Sequence, residues 1–430
     1  MNLSKVCKIL FSSAALQVAG VLCGFTLTVI LSRSLGASEF GIYSVAYSAC
    51  VLLAIPVQAG LPTLVMRETA RFDSENAPRR IRGLWQWATC LALAISLAIA
   101  FPAGLGAFYF GGIYASTLVV ALALVPLMAL SALRAASLKG LRHVIAGQVP
   151  DLVLRPLVLI LLILIAMDLI DLSAPSAMGL HVVATGIAFL AGMFLLLRNL
   201  PDKVRVAKPD TGLRSDWLRM VVPMGTIMAA QVFSANIGII VLGVVGTPYE
   251  AGLFRIAIML GTLLMFGRTA IIAVVQPYLS RNHYSGDKDR LQFLAGAVSS
   301  FSLATAAPLV LFFFFFGDQI INWGFGTEYS GVWPVLMVIS VGQLVNAFFA
   351  SVGSVLMMAG QERATMRVIT ASTAISVLVY LVIVPFFGAL GAAAAMAFNT
   401  TILHLGYWYV ARQSLSIDCS AVSLLKRLQK

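Results

Sequence analysis

Three arginines stand apart from the other charges of this 430-residue chain. Arg33, Arg255 and Arg268 fall at the end of, or inside, apolar runs, whereas the rest of the 29 Lys and Arg lie in the connections and tails between runs or at run ends beside them. A guanidinium at the centre of a membrane helix costs about 3 kcal/mol on insertion scales, so an embedded one needs a partner. Its planar fork of N–H donors fits phosphate. One reading has Arg33 and Arg255 snorkel to the interface or pair with Glu39 and Glu250. The other places them with Arg268 along a cationic cleft for an anionic group. Arg255 and Arg268 are thirteen residues apart, roughly 140° around a helix, so they would act at different depths. Arg67, Arg134 and Arg155 sit at run ends on the opposite side, as topology signals or as the entrance to that cleft. Gln17, Gln231 and Asn236 are uncharged hydrogen-bonding groups within apolar runs. They could read glycan hydroxyls or bond helix to helix.

Other chemistries lack their residues. The seventeen Asp and Glu fall in connections or at run edges, where a carrier of cationic cargo would want one mid-membrane. The chain has no G-x-x-x-x-G-K-[ST] loop, so it does not hydrolyse ATP itself. It shows neither a metal-ligand cluster nor a nucleophile elbow, and no external loop long enough for a catalytic domain. No catalytic residue, metal or cofactor is expected, and the chain does not read as an enzyme. The five cysteines have no C-x-x-C spacing and read as small apolar filler. His404 reads as a packed residue of the last run.

The elements that must position these residues are membrane helices. Apolar residues make up 60% of the chain and charged residues 11%, against about 25% charged in an ordinary soluble domain. The mean hydropathy is +0.95. Apolar stretches at about 9–31, 41–64, 84–110, 114–133, 152–170, 177–197, 220–245, 251–276, 292–317, 331–357, 366–386 and 389–411 predict twelve spans. The first continues to Leu31, too long for a signal-peptide core, so it is expected to be retained. The longest connection separates spans six and seven. The expected division is a six-helix bundle over 1–198, a basic linker over 199–218, a second six-helix bundle over 219–411 and a tail over 412–430. All but three Lys and Arg fall at the termini and in the even-numbered connections. By the positive-inside rule both termini are cytoplasmic in a multi-pass protein. The net charge of +12 is then topological, and nucleic acid is excluded as a partner.

The halves repeat each other. Gln17, Gly20 and Gly24 match Gln231, Ser234 and Gly238 as Gln-x-x-small-x-x-x-Gly. Glu39-x-Gly41 matches Glu250-x-Gly252, and Gly140 and Gly179 match Gly360 and Gly391 in the same order. Six spans return the chain to its starting side, so the repeats are parallel, as in carriers whose bundles rock about a central site.

Leu35, Gly36, Phe40, Gly41 and Tyr43, followed by Gly60, Leu61 and Arg67, carry a family resemblance. So do "FGTEYSGVWPVL" before span ten and "FGALGAAAA" into span twelve. Over essentially its whole length the chain resembles the polysaccharide-transporter branch of the multidrug/oligosaccharidyl-lipid/polysaccharide flippase superfamily. The resemblance implies the MATE-like fold of that superfamily: two pseudo-symmetric six-helix bundles around a central cleft in the inner membrane. It implies translocation of a polyprenyl-pyrophosphate-linked oligosaccharide from the cytoplasmic to the outer leaflet, for O-antigen, capsule or exopolysaccharide. Implied partners are the lipid-linked oligosaccharide, membrane lipids, a glycan polymerase and a chain-length regulator. Two alternatives stay open: efflux of drugs or small metabolites by the same fold, and a membrane-embedded glycan-modifying enzyme.

Overall fold

The computed structural model describes residues 3–424; the basic residues Lys426, Arg427 and Lys430 of the expected tail lie outside the described residues. Every regular element among the described residues is helical. The chain forms two compact units, residues 1–236 and 237–430.

The first unit contains α1 (Leu3–Leu53), α2 (Ile55–Gln58), α3 (Leu61–Ser74), α4 (Pro78–Phe110), α5 (Ala115–Ala121), α6 (Leu124–Gly140) and α7 (Val144–Val149). A π-helical turn, Pro150–Leu154, leads into α8 (Arg155–Met167). There follow α9 (Ala174–Arg198), α10 (Asp202–Val206) and most of α11 (Arg214–Val245). At 1.5 Å per residue α1 would be about 75 Å long, more than twice the ~30 Å hydrocarbon core. It does not run straight. Gly36 breaks it at φ 71°, ψ 167°, a region open to glycine and closed to residues with a Cβ. The contacts show a reversal. Ser13 Oγ donates to Gln148 and Gly20 packs on Leu152, so the first arm runs with α7 and α8. Past Gly36, the Ala174 N–H donates to Glu39 at 2.6 Å and Tyr43 Oη lies 2.7 Å from His181 Nδ1. The second arm therefore runs with α9, the antiparallel neighbour of α8.

Glu39 has a defined job in that turn. Its carboxylate accepts from the first N–H of α9, where the helix dipole favours negative charge. Glu250 occupies the matching place in the second unit. That unit contains the end of α11, α12 (Pro248–Leu263), α13 (Phe266–Tyr284), α14 (Lys288–Gly324), α15 (Val332–Phe348), α16 (Val352–Met358) and α17 (Glu362–Leu415). Thr247 and Glu250 form a capping box on α12: Thr247 Oγ1 accepts from Glu250 N, and the Glu250 carboxylate accepts from Thr247 N at 2.9 Å. The same carboxylate lies against Gly388, where α17 breaks at φ 53°, ψ −129°. A Cβ on Gly388 would lie 1.6 Å from Glu250 Oε1. Both acids thus sit at the start of the last helical arm of their half, which is what the repeated Glu-x-Gly preserves.

Eight helices among the described residues are long and apolar enough to cross a membrane, or up to ten when two bent pairs are each taken as a span. Two of the eight, Ala15–Leu53 and Glu362–Leu415, contain the breaks at Gly36 and Gly388. The fold is that of an all-α polytopic membrane protein.

The basic stretch 199–218 is packed into the first unit. Trp217 is fully buried and its ring lies 5.3 Å from that of Trp87, while Asp210 N–H donates to Arg79 O. Gly83 admits this strand of chain, since a Cβ there would meet the Asp210 carbonyl at 1.9 Å.

In the second unit, residues after α17 fold back over the break between α15 and α16. Ala421 N–H donates to Phe348 O, and Cys419 O accepts from Ser299 and Ser351 hydroxyls. These bonds supply partners that a broken helix otherwise lacks. Asp418 anchors the segment. Burial alone would raise its pKa, but the Trp408 indole, the Ser420 N–H and hydroxyl and the Arg412 charge outweigh it and hold the carboxyl below its ordinary value.

Two predictions follow from these anchors. Replacing Glu39 by Ala removes the acceptor at the α9 N-terminus and is expected to cost about 1 kcal/mol, read as a lower unfolding midpoint in detergent. Because the folded pKa of Asp418 is depressed, its stabilisation is complete above the free-Asp value of about 3.9. It is lost as pH falls through the lower folded value. Amide exchange over 416–424 should therefore rise on acidification below about pH 4, and Asp418→Asn should abolish that pH dependence.

Candidate functional site

The first unit holds a cavity of about 470 Å³ between α1, α2, α3, α6, the π-turn and α11. Its charged lining residues are Lys139, Asp151 and Arg155; Gln58, Tyr47 and Ser131 add hydrogen-bonding groups. Met66, Met128 and Met228, from α3, α6 and α11, add apolar lining. The local sequence explains how the charges converge. Pro156 has no N–H to give the carbonyl four residues back, so the ladder slips at this point. Arg155 N–H instead donates to Pro150 O, five residues back, and the turn is π-helical. Asp151 and Arg155 both line the cavity from this turn.

Asp151 is held by Arg134, whose Nη2 donates to Oδ2 at 2.6 Å. Arg134 is only 2% exposed. Its guanidinium crosses α9 at Gly192, where a Cβ would lie 1.0 Å from Nη1. The glycine is therefore a steric requirement of the ion pair. With Asp151 neutralised by Arg134, Lys139 and Arg155 leave the cavity net cationic. Ser131 Oγ is buried and has no hydrogen-bond partner in the protein, so it can donate or accept at the cavity wall. Behind Tyr47 lies buried His181, their rings 5.2 Å apart.

The structure brings together Arg155 and, through Asp151, Arg134. The other residues singled out from the sequence lie elsewhere. Arg67 is exposed on α3 and donates to buried Glu68 and to the Met220 sulfur. Gln17 and Arg33 are exposed on the first arm of α1. Gln231 is exposed on α11, and Asn236 donates to Val232 O of its own helix. In the second unit Arg268 donates from Nε to Ala350 O, at the break between α15 and α16, and Arg255 is half-buried on α12. An arginine on a free carbonyl at a helix C-terminus also satisfies the helix dipole, so Arg268 has a structural occupation there. Lys139, Gln58, Ser131 and Asp151 were not singled out. Lys139 read as one more topology charge, and Asp151 as the edge of a run whose helix in fact begins at Val144.

The fold matches membrane transporters. It is similar to a multidrug resistance MATE family transporter of the MOP superfamily (TM-score 0.74, 14% identity, 92% of this chain and 94% of that one). It is equally similar to the lipid II flippase MurJ (TM-score 0.76, 13% identity, 98% of this chain and 91% of that one). At these identities the likeness is one of fold. Residues 6–283 match the pattern of the polysaccharide biosynthesis protein family, and the chain belongs to that family. A curated relative, the probable low-salt glycan biosynthesis flippase Agl15 of Haloferax volcanii, is 21% identical over 178 residues, 41% of this chain. The match spans about two fifths of that relative's length.

Removing Asp151 leaves the buried Arg134 charge uncompensated, at about 3–5 kcal/mol, whereas replacing both by apolar residues is far milder. Asp151→Leu should destabilise strongly and Arg134→Met less, because Asp151 keeps access to water, with the double variant closer to wild type than Asp151→Leu. Unfolding midpoints of the four proteins in a double-mutant cycle check this.

Proposed function

We propose that the chain is a secondary transporter that flips a polyprenyl-pyrophosphate-linked oligosaccharide from the cytoplasmic to the outer leaflet of the inner membrane. The observation that carries this reading is the net-cationic cavity of the first unit, where Lys139 and Arg155 face the same space as Gln58, Tyr47 and Ser131. Charge-assisted bonds from Lys139 and Arg155 hold the pyrophosphate. The uncharged groups take sugar hydroxyls, and the methionine wall accepts the less polar sugar faces with little shape demand. Family membership supports a glycan-pathway cargo, and the MOP fold supports movement by alternating access. In this reading each half acts as a six-helix bundle, over 1–198 and 219–411. The basic connections and both termini face the cytoplasm. A polymerase and a chain-length regulator act on the product outside. Arg33, Arg255 and Arg268 contribute further cationic positions along the route, with Gln17, Gln231 and Asn236 as hydrogen-bonding ones. Arg67 stands at the cytoplasmic entrance.

In a strain lacking the gene, surface glycan should fall and the lipid-linked repeat unit should accumulate facing the cytoplasm. Complementation with Lys139→Gln or Arg155→Gln, at wild-type protein level, should restore export about tenfold less well, the loss of one phosphate contact of ~1.4 kcal/mol. Unchanged glycan in the deletion, without a second flippase, contradicts the function; full export by both variants contradicts the site.

A further inference from the structure

A second cavity, of about 680 Å³, lies on another face of α6. Its floor is α6 (Leu130, Leu133, Arg134, Ser137), and its walls are α4 and α9. It shares no lining residue with the cavity described above. Its polarity is graded along the helix axes. At the end nearest the basic connections are Arg82 and Gln86; one or two turns deeper come Thr89 and the Arg134 guanidinium. Deeper still the lining is apolar, with Leu93, Leu130 and Phe189. The neighbouring surface of the walls is apolar too: Leu97 and Leu190 are 58% and 66% exposed, as on a lipid-facing flank.

Arg134 poses the problem that this cavity answers. Its Nη2 is taken by Asp151, but Nε and Nη1 are buried without a hydrogen-bond partner in the protein. Buried N–H groups of a guanidinium are costly to leave unpaired, so an acceptor that reaches the guanidinium from the groove Arg134 lines, beside its contact with Gly192, is favoured.

We propose that this groove binds a glycerophospholipid with an anionic headgroup, from the leaflet on the side of the basic connections. The order of chemistry along the groove is that of such a lipid. Its phosphate meets Arg82, which also donates to Arg205 O, its ester carbonyls lie beside the Arg134 guanidinium, and one acyl chain lies between α4 and α9. A polyprenyl pyrophosphate has no ester carbonyl at that depth, and α6 stands between this groove and the cavity with Lys139 and Arg155. The basic residues of 198–208 around the mouth favour an anionic over a zwitterionic headgroup. Because Arg134 also holds Asp151, occupancy of the groove bears on the charge of the cavity on the other face of α6.

The test needs no variant to begin. Purified protein in phosphatidylcholine nanodiscs is photolabelled with phosphatidylglycerol or phosphatidylcholine carrying a diazirine in one acyl chain, and the labelled peptides are mapped. Phosphatidylglycerol should label Thr89–Leu93 and Phe189–Leu197 about fivefold more than phosphatidylcholine, equivalent to ~1 kcal/mol. Arg82→Gln should bring the two lipids level. Equal labelling of the wild-type protein by both lipids overturns the proposal. Displacement of the label by a polyprenyl pyrophosphate also overturns it, by assigning the groove to the transported lipid.

Discussion

The first unit is organised around one ion pair, between buried Arg134 and part-buried Asp151. Arg134 reaches across α9 at Gly192 to hold Asp151 on the π-turn, and so ties α6, α9 and the start of α8 together at one depth. Taking the Arg134 charge out of water costs several kcal/mol, and the close contact with part-buried Asp151 offsets it. That cost explains why α9 gives up a side chain at 192. It also explains the character of the cavity: with the sole acid of its lining neutralised from behind, Lys139 and Arg155 leave the lining cationic and favour an anion.

Much of the architecture was legible in the sequence because a bilayer imposes simple rules. Backbone groups must be paired internally, so spans are helices and read as apolar runs. The Leu-Gly-x-x-x-Phe-Gly-x-Tyr stretch marked the first reversal, although the break falls at Gly36, with Gly41 buried in the following arm. The repeated Glu-x-Gly was visible too. Its cause was not, since Glu39 accepts from the helix start at Ala174 and Glu250 packs against the break at Gly388, each more than a hundred residues away in sequence. Arg255 and Arg268 drew attention as charges in apolar surroundings, which is a property of the sequence window. Lys139 and Asp151 acquire meaning only when α6 and the π-turn face each other, a contact no window contains.

The second unit shows the same economy. The break between α15 and α16 exposes carbonyls, and two distant parts of the chain satisfy them: Arg268 at Ala350 and the segment after α17 at Phe348. A broken span needs such partners wherever it stands. Here they come from the residue that most resembled a binding group in the sequence and from a tail that resembled a simple extension.

The proposed activity is transfer of a negatively charged lipid-linked glycan across the bilayer. Its clearest readout is in liposomes with the purified protein, the labelled lipid enclosed in the inner leaflet and its outer-leaflet exposure followed in time. Two substrates are compared, a polyprenyl-pyrophosphate oligosaccharide and the same glycan on a neutral prenyl ether. The protein is expected to expose the first and to leave the second protected as in protein-free vesicles. Equal movement of both, or of neither, rules the proposed activity out.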